Sequence, residues 1–421
     1  MKINFKRGAG VVAVAATLAL VMSSCAATKF DTASCKDAGL KVGTLLPTTG
    51  SLAFLGAPEI AGVDLALKDI NEAGGVGGKC VSVTYTDSGD TTTDIASQSV
   101  DKLHAAGVQA FVGAASSGVT LSVIDKVIAD KMVQVSPSNT APSLSDYTDN
   151  GFYFRTAPSD VLQGRVLGNL MVADGATKVG FITLQDPYGT GLQTNAQTSI
   201  TAAGGSVVAN ETFPTGAKNV NAQIDKVLAA KPDAIAVISF DEAKVILPYL
   251  VKTKGWDPKK LYLVDGNTAD YSKDFTDFNI AGAQGTIPGV IANDAFKKRL
   301  AEVNSKLTVF AYAAESYDAT MLIALAATEA AHKGEALTGD NIKKYMVDVS
   351  TGGTKVDFTQ AGAFKKAVDI INSGGDIDYQ GVSGPVTFGS NGDPLEAYVG
   401  TYVFGTDNNN TPETSTYGKL N

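Results

Sequence analysis

Short apolar runs alternate with helical-period faces along this chain from about residue 42 to residue 264. Residues 42–46 form the first run. Ile60, Val63, Leu67 and Ile70 recur at helical spacing behind Pro58, which suits a first helical residue, and Gly74-Gly75 ends the element. Val81, Val83 and Tyr85 alternate as a strand, and Ile95, Val100 and Leu103 mark a helix stopped at Gly107. A strand over 108–112, a helical face of Val119, Val123, Ile124 and Val127, and a strand over 132–135 follow. After about residue 156 the pattern restarts, with strands expected over 178–183, 206–209, 234–239 and 261–264 and helices between them. Repeated β-α units predict parallel sheets. Two such series predict an α/β chain of two doubly wound lobes. Residues 296–374 read as mainly helical, with a long helix around 312–333. Residues 406–421, rich in Asp, Asn and Thr, have the composition of a disordered polar tail.

The N-terminus sets the compartment. Lys2, Lys6 and Arg7 precede an apolar run over 8–22. That run is shorter than the roughly 20 residues a bilayer span needs. Ser23 and Ser24 then lead to Cys25. A basic start, a short apolar core and small residues describe a secretory signal. The cysteine right after them resembles a bacterial lipoprotein signal. It implies that residues 1–24 are removed, that Cys25 carries the lipid, and that 25–40 tether the body to the outer face of the cell membrane or in the periplasm. The alternative is an ordinary cleaved signal with an incidental cysteine. The net charge of −9 becomes more negative without the basic start, which excludes nucleic acid and anionic lipid as attractive partners. In an exported chain the remaining cysteines, Cys35 and Cys80, form an even pair that is normally bridged. Each precedes or opens a strand candidate, and the starts of neighbouring parallel strands share one sheet edge. Two unrelated thiols are the alternative.

Ligands of open α/β sheets bind at the carboxyl ends of strands. Two loops there carry hydroxyls: Gly113-Ala114-Ala115-Ser116-Ser117-Gly118 and Ser136-Pro137-Ser138-Asn139-Thr140-Ala141-Pro142. With a helix N-terminus behind it, such a loop suits a carboxylate. Helix capping and turn formation are the plainer roles for the same residues.

Longer matching text runs in order from about Lys41 to Phe404. It includes Ile70-Asn71-Glu72-Ala73-Gly74-Gly75-Val76-Gly77-Gly78, the Ser136–Pro142 loop, Phe154-Arg155-Thr156, Asp160 with Gln163-Gly164, and Tyr188-Gly189. Ser316-Tyr317-Asp318-Ala319 and Gly381-Val382-Ser383-Gly384-Pro385 complete it. On these residues the chain resembles the leucine/isoleucine/valine-binding class of type I periplasmic binding proteins. The resemblance implies two lobes joined by a three-strand hinge, with 41–156 plus 288–394 in the N-terminal lobe and 157–287 plus 395–405 in the C-terminal lobe. It implies a small-molecule ligand, most simply a branched-chain or other apolar amino acid, held between the lobes. Ser117 and Thr140 would donate to its carboxylate, and the Ser138 carbonyl and Asp265 would receive its ammonium. Tyr188 would close over it, with Phe54 lining the side-chain pocket and Phe240 or Asp241 the second lobe. It further implies a monomer that delivers ligand to the permease subunits of an ABC importer, with no cofactor and no metal. Relatives of this class also take amides, urea and aromatic acids.

An enzyme is the first rival. The chain has two histidines, His104 and His332, neither beside a nucleophile motif, and no H-x-x-x-H, C-x-x-C, Walker or G-x-S-x-G signature. A sensory accessory protein is the second, because the same fold and site serve signalling equally.

Overall fold

The computed structural model of the chain describes Cys35, residues 37–290 and residues 292–420. The signal segment and Cys25 lie outside these residues. Strand β1 (Leu40–Leu46) is buried except at Lys41, as a central strand covered on both faces must be. After it come α1 (Ala53–Glu72), β2 (Val81–Asp87), α2 (Ile95–Ala105), β3 (Ala110–Gly113), α3 (Ser117–Ala129), β4 (Val133–Ser136) and β5 (Tyr153–Arg155). The five strands form a parallel sheet of order β2-β1-β3-β4-β5. Val42 pairs with Val83 on one side and Ala110 on the other, so the carboxyl ends share one edge.

The chain then enters a second sheet through α4 (Asp160–Ala173), β6 (Lys178–Leu184), α5 (Pro187–Ala202), β7 (Ser206–Phe213), α6 (Asn221–Ala229), β8 (Ala234–Ile238), α7 (Ala243–Leu247), β9 (Leu261–Leu263) and β10 (Gln284–Pro288). It returns to the first lobe for α8 (Asp294–Val303), α9 (Ala313–His332), α10 (Gly339–Tyr345), β11 (Thr354–Asp357), α11 (Ala363–Asn372), β12 (Ile377–Gly381) and β13 (Gly384–Pro385). Strands β14 (Glu396–Phe404) and β15 (Asn410–Lys419) rejoin the second sheet, whose order is β15-β14-β10-β9-β8-β6-β7. The two series of β-α units expected from the patterning are therefore both present. The segment around 350–376 adds a small sheet, β11-β12-β13, whose Val356, Phe358 and Tyr379 pack into the first core with α11.

Helix α9 is buried along nearly its whole length and crosses α1 at Gly62, where a Cβ would lie 2.1 Å from the Ala313 carbonyl oxygen. Each lobe has its own apolar core. Leu52, Leu55, Ala115 and Tyr312 extend from first-lobe segments yet pack with the second core. The Asp241 amide donates to the Ser51 carbonyl at 3.1 Å across the same gap. The lobes are closed on each other.

Two expectations need correction. Helix α1 starts at Ala53, so Pro58 stands inside it and is buried. The earlier turn gains the burial of Leu52 and Leu55 across the cleft, whereas the proline forfeits one backbone bond in the second turn. The described part of the C-terminal segment is not a free tail, since β15 pairs antiparallel with β14, Tyr398 opposite Tyr417. Its side chains are mostly exposed, so its composition reads as solvent-facing while its backbone completes a ladder. Asn408 anchors the turn by donating to the Phe275 and Phe278 carbonyls at 2.9 and 3.0 Å and accepting from the Ile280 amide at 2.9 Å. Cys35 and Cys80 form the disulfide, with Cα atoms 5.9 Å apart, tying the chain before β1 to the start of β2. Among the described residues, no helix is long and apolar enough to cross a membrane.

Candidate functional site

The strand-end loops of the first lobe are held rigidly. Ser136 Oγ donates to the Ala114 carbonyl at 2.7 Å, and Asn139 Nδ2 donates to the Ala114 and Ala115 carbonyls at 3.0 and 2.8 Å. Beneath them lies the fully buried Arg155, paired with Asp393 at 2.6 and 2.8 Å and donating to the Asn139 and Ala141 carbonyls at 3.3 and 3.0 Å. Ser116 caps α3, accepting from the Val119 amide at 3.3 Å. Ser117 Oγ accepts from the amides of Thr140 and Ala141 at 3.3 and 3.2 Å. Both lone pairs of that hydroxyl are engaged, which leaves its proton to be donated elsewhere. The first amides of α3 lack intrahelical acceptors and add to the donor side.

The second lobe supplies the acceptor. Asp265 follows β9 and is buried. Its Oδ1 accepts from the Tyr188 hydroxyl at 2.7 Å and from Gln163 Nε2 at 2.9 Å. Its Oδ2 accepts from the Tyr312 hydroxyl at 2.7 Å. Burial holds the Asp265 carboxyl above its ordinary range, against the pull of these donors. Asp160, at the start of α4, is raised further by burial and by the charge of Asp265, so the two resist being charged together. Burial and the Asp265 charge keep Tyr188 and Tyr312 protonated, as donors. Tyr188 stacks on Phe240 with ring centroids 5.4 Å apart. Gly266 lets the Tyr188 hydroxyl approach; a Cβ there would lie 2.9 Å from it.

Ser117, Ser138, Tyr188, Phe240 and Asp265 line one small void, together with Leu52, Leu55, Ala115, Ser116, Gly266 and Tyr312. Two of the expected residues do not. Phe54 is half-buried against the second core, and its neighbour Leu55 takes the place in the wall; one residue turns the side chain by a quarter of a helical turn. Thr140 turns its hydroxyl beside the Asp160 carboxyl, near enough to favour the charged form but outside hydrogen-bonding geometry. The wall residues that patterning did not flag include Tyr312, whose signal is an aromatic residue immediately before α9. It holds a left-handed backbone, φ 60°, a sparsely populated conformation for a bulky residue that surroundings must enforce. Asp160 and Gln163 stand in the matched text without an assigned role.

Ser138 Oγ donates to Glu59 at 2.6 Å, and burial pushes the Glu59 carboxyl up to about 8. Among the described residues, no basic side chain lines the void. Hydroxyl and amide donors therefore face a buried carboxylate across an apolar gap, an arrangement suited to a small molecule with an anionic and a cationic end. Among the described residues, no group of three or more His, Cys, Asp or Glu side chains is placed to hold a metal ion.

A family profile described as "Periplasmic binding protein" matches residues 39–370. The chemotactic signal transduction system substrate-binding protein BasB of Halobacterium salinarum is 27% identical over 371 residues, covering 85% of each chain. The Leu/Ile/Val-binding protein homolog 1 of Brucella abortus is 31% identical over 197 residues, 46% of this chain and 52% of that one, so the aligned stretch spans about half of it. The branched-chain amino acid transporter substrate-binding protein LivJ of Streptococcus pneumoniae, solved with isoleucine, superposes with a TM-score of 0.71 at 22% identity, covering 90% of this chain and 99% of that one. The chain belongs to the periplasmic binding protein family.

Proposed function

We propose that this protein captures a small α-amino acid, most simply one with a branched aliphatic side chain, in the cleft between its lobes and does no chemistry on it. One observation carries the reading: a single void joins the donors of α3 and Ser117 in one lobe to the buried Asp265 of the other. The Ser117 hydroxyl and the first amides of α3 take the carboxylate. The Ser138 carbonyl and Asp265 take the ammonium. Thr140 acts from behind, its amide orienting the Ser117 hydroxyl. Tyr188, Phe240, Tyr312 and Leu55 surround the side chain. In this reading Cys25 bears a lipid, the protein acts as a monomer outside the cytoplasm, and the closed form delivers ligand to the permease subunits of an ABC importer.

A sensory role is the second reading, favoured by the name of the Halobacterium relative. The same closed form would then be read by a membrane receptor. Loss of labelled ligand uptake in a deletion strain supports import; uptake kept while the tactic response is lost supports sensing.

The ligand test is a thermal-shift screen of refolded, ligand-stripped protein against amino acids, amides, urea and aromatic acids. A native-state ligand at 100 times its Kd adds about 2.7 kcal/mol. A shift with a few aliphatic amino acids is expected, and Asp265→Asn should weaken their affinity about 100-fold, since losing one partner of a buried charged pair costs roughly 2–5 kcal/mol. Shifts confined to amides or aromatic acids would overturn the ammonium role of Asp265.

A further inference from the structure

A second pocket, of about 180 Å³ and partly open to solvent, lies beside the cleft void. Ile287, Phe310, Ala311 and Tyr402 are among its apolar wall, and Asp270, Glu315, Lys297 and Asn410 among its polar wall. Among the described residues, Tyr312 is the one that lines both spaces. Its ring stands between them, and its hydroxyl is fixed to Asp265 Oδ2 at 2.7 Å. Its backbone holds the left-handed conformation, φ 60°.

We propose that Tyr312 is the specificity-determining partition of the site: it ends the space open to the ligand's side chain and shuts the adjoining cavity off from it. The inference rests on the amino-acid reading above. The cleft void is much the smaller of the two spaces, so a compact aliphatic side chain asks least room of it. An aromatic or long straight side chain has to extend into the neighbouring cavity, and Tyr312 bars the way. The bond to Asp265 makes the partition sensitive to the ligand's charge, because an arriving ammonium competes with the hydroxyl for the same carboxylate. Removing the ring would join the two spaces and give a large apolar side chain a wall of Ile287, Phe310 and Tyr402 to lie against.

The variant of choice is Tyr312→Gly, because glycine adopts the left-handed backbone without strain. Tyr312→Phe keeps the ring and removes only the hydroxyl. Affinities for valine, leucine, phenylalanine and tryptophan are measured calorimetrically for the three proteins. Tyr312→Gly is expected to raise the phenylalanine-to-valine affinity ratio at least about tenfold, the scale on which an apolar pocket discriminates by size. Tyr312→Phe is expected to leave that ratio within about threefold of the wild type, as the ring still blocks the passage. Equal losses for every amino acid in Tyr312→Gly would overturn the proposal and make Tyr312 a positioning residue for Asp265. A crystal structure of ligand-free Tyr312→Gly tests the partition without any ligand. One continuous chamber supports it, and two chambers still separated overturn it. If no variant binds any amino acid, the zwitterion reading falls and the size selectivity with it, while the crystal structure still decides whether Tyr312 divides the cavities.

Discussion

Glu59 is a buried carboxyl that ties the stability of the fold to pH. It stands on α1 with one oxygen bonded to Ser138 and the other without a partner. Burial lifts its pKa from an ordinary 4.5 to about 8, and burial likewise lifts that of the neighbouring Glu315. The consequence for stability has a definite sign. Below about pH 4.5 the folded and unfolded states both hold the proton, and no penalty exists. Between there and about 8 the unfolded chain releases it while the native state retains it. Stability therefore falls with rising pH, by up to about 1.4 kcal/mol per pH unit for each such group. Glu59→Gln is expected to flatten this slope without abolishing it, raising the urea midpoint at pH 8 and leaving it nearly unchanged at pH 5. A slope equal to the wild type's would show that Glu59 ionises normally. At this scale the loops that bring Ser117, Ser138, Tyr188, Phe240 and Asp265 to one void were legible, because strand ends and ordered motifs locate loops. Phe54 was misplaced by one position, because the rotation of a helix follows from what its neighbours bury and not from its own residues.

Among the elements, β15 departs furthest from the sequence reading. Polar composition argues against a core and says nothing about a backbone ladder. The strand faces solvent, while its amides and carbonyls pair with β14 along Glu396 to Phe404. A chain ended after Asn409 keeps the Asn408 anchor and loses the ladder. It is expected to lose on the order of a few kcal/mol, at about 0.5–1.5 kcal/mol net for each hydrogen bond, and to associate through the bared β14 edge. Chemical denaturation and sedimentation check both, and an unchanged, monomeric truncation would mean that β15 adds no stability. Helix α1 makes the same point from the other side. Proline normally marks a helix start, yet here the start is set by Leu52 and Leu55 finding apolar partners in the second lobe.

The whole molecule is a closed clamp, and Gly118 lies where the lobes meet. A Cβ on Gly118, in the first lobe, would stand 2.2 Å from Asp186 Oδ2, in the second. Gly118→Ala is expected to hinder closure and weaken ligand binding about tenfold, within the roughly 1–3 kcal/mol that overpacking costs. The melting midpoint of the ligand-free protein should hardly move, because each core is untouched. Small-angle scattering would show ligand-induced compaction in the wild type and less of it in the variant; equal compaction would place the clamp elsewhere. By itself the sequence determined the α/β class, the two series of strands and helices, the candidate pair of cysteines and the loops where a ligand could lie. These follow from periodicity, turn chemistry and spacing, which are local. The tertiary structure alone decided that Leu55 and Tyr312 complete the wall, that Asp160 shares a buried neighbourhood with Asp265, and that β15 closes a sheet. Each of these depends on segments far apart in the chain being packed together, and no local pattern encodes which distant surface a side chain will meet.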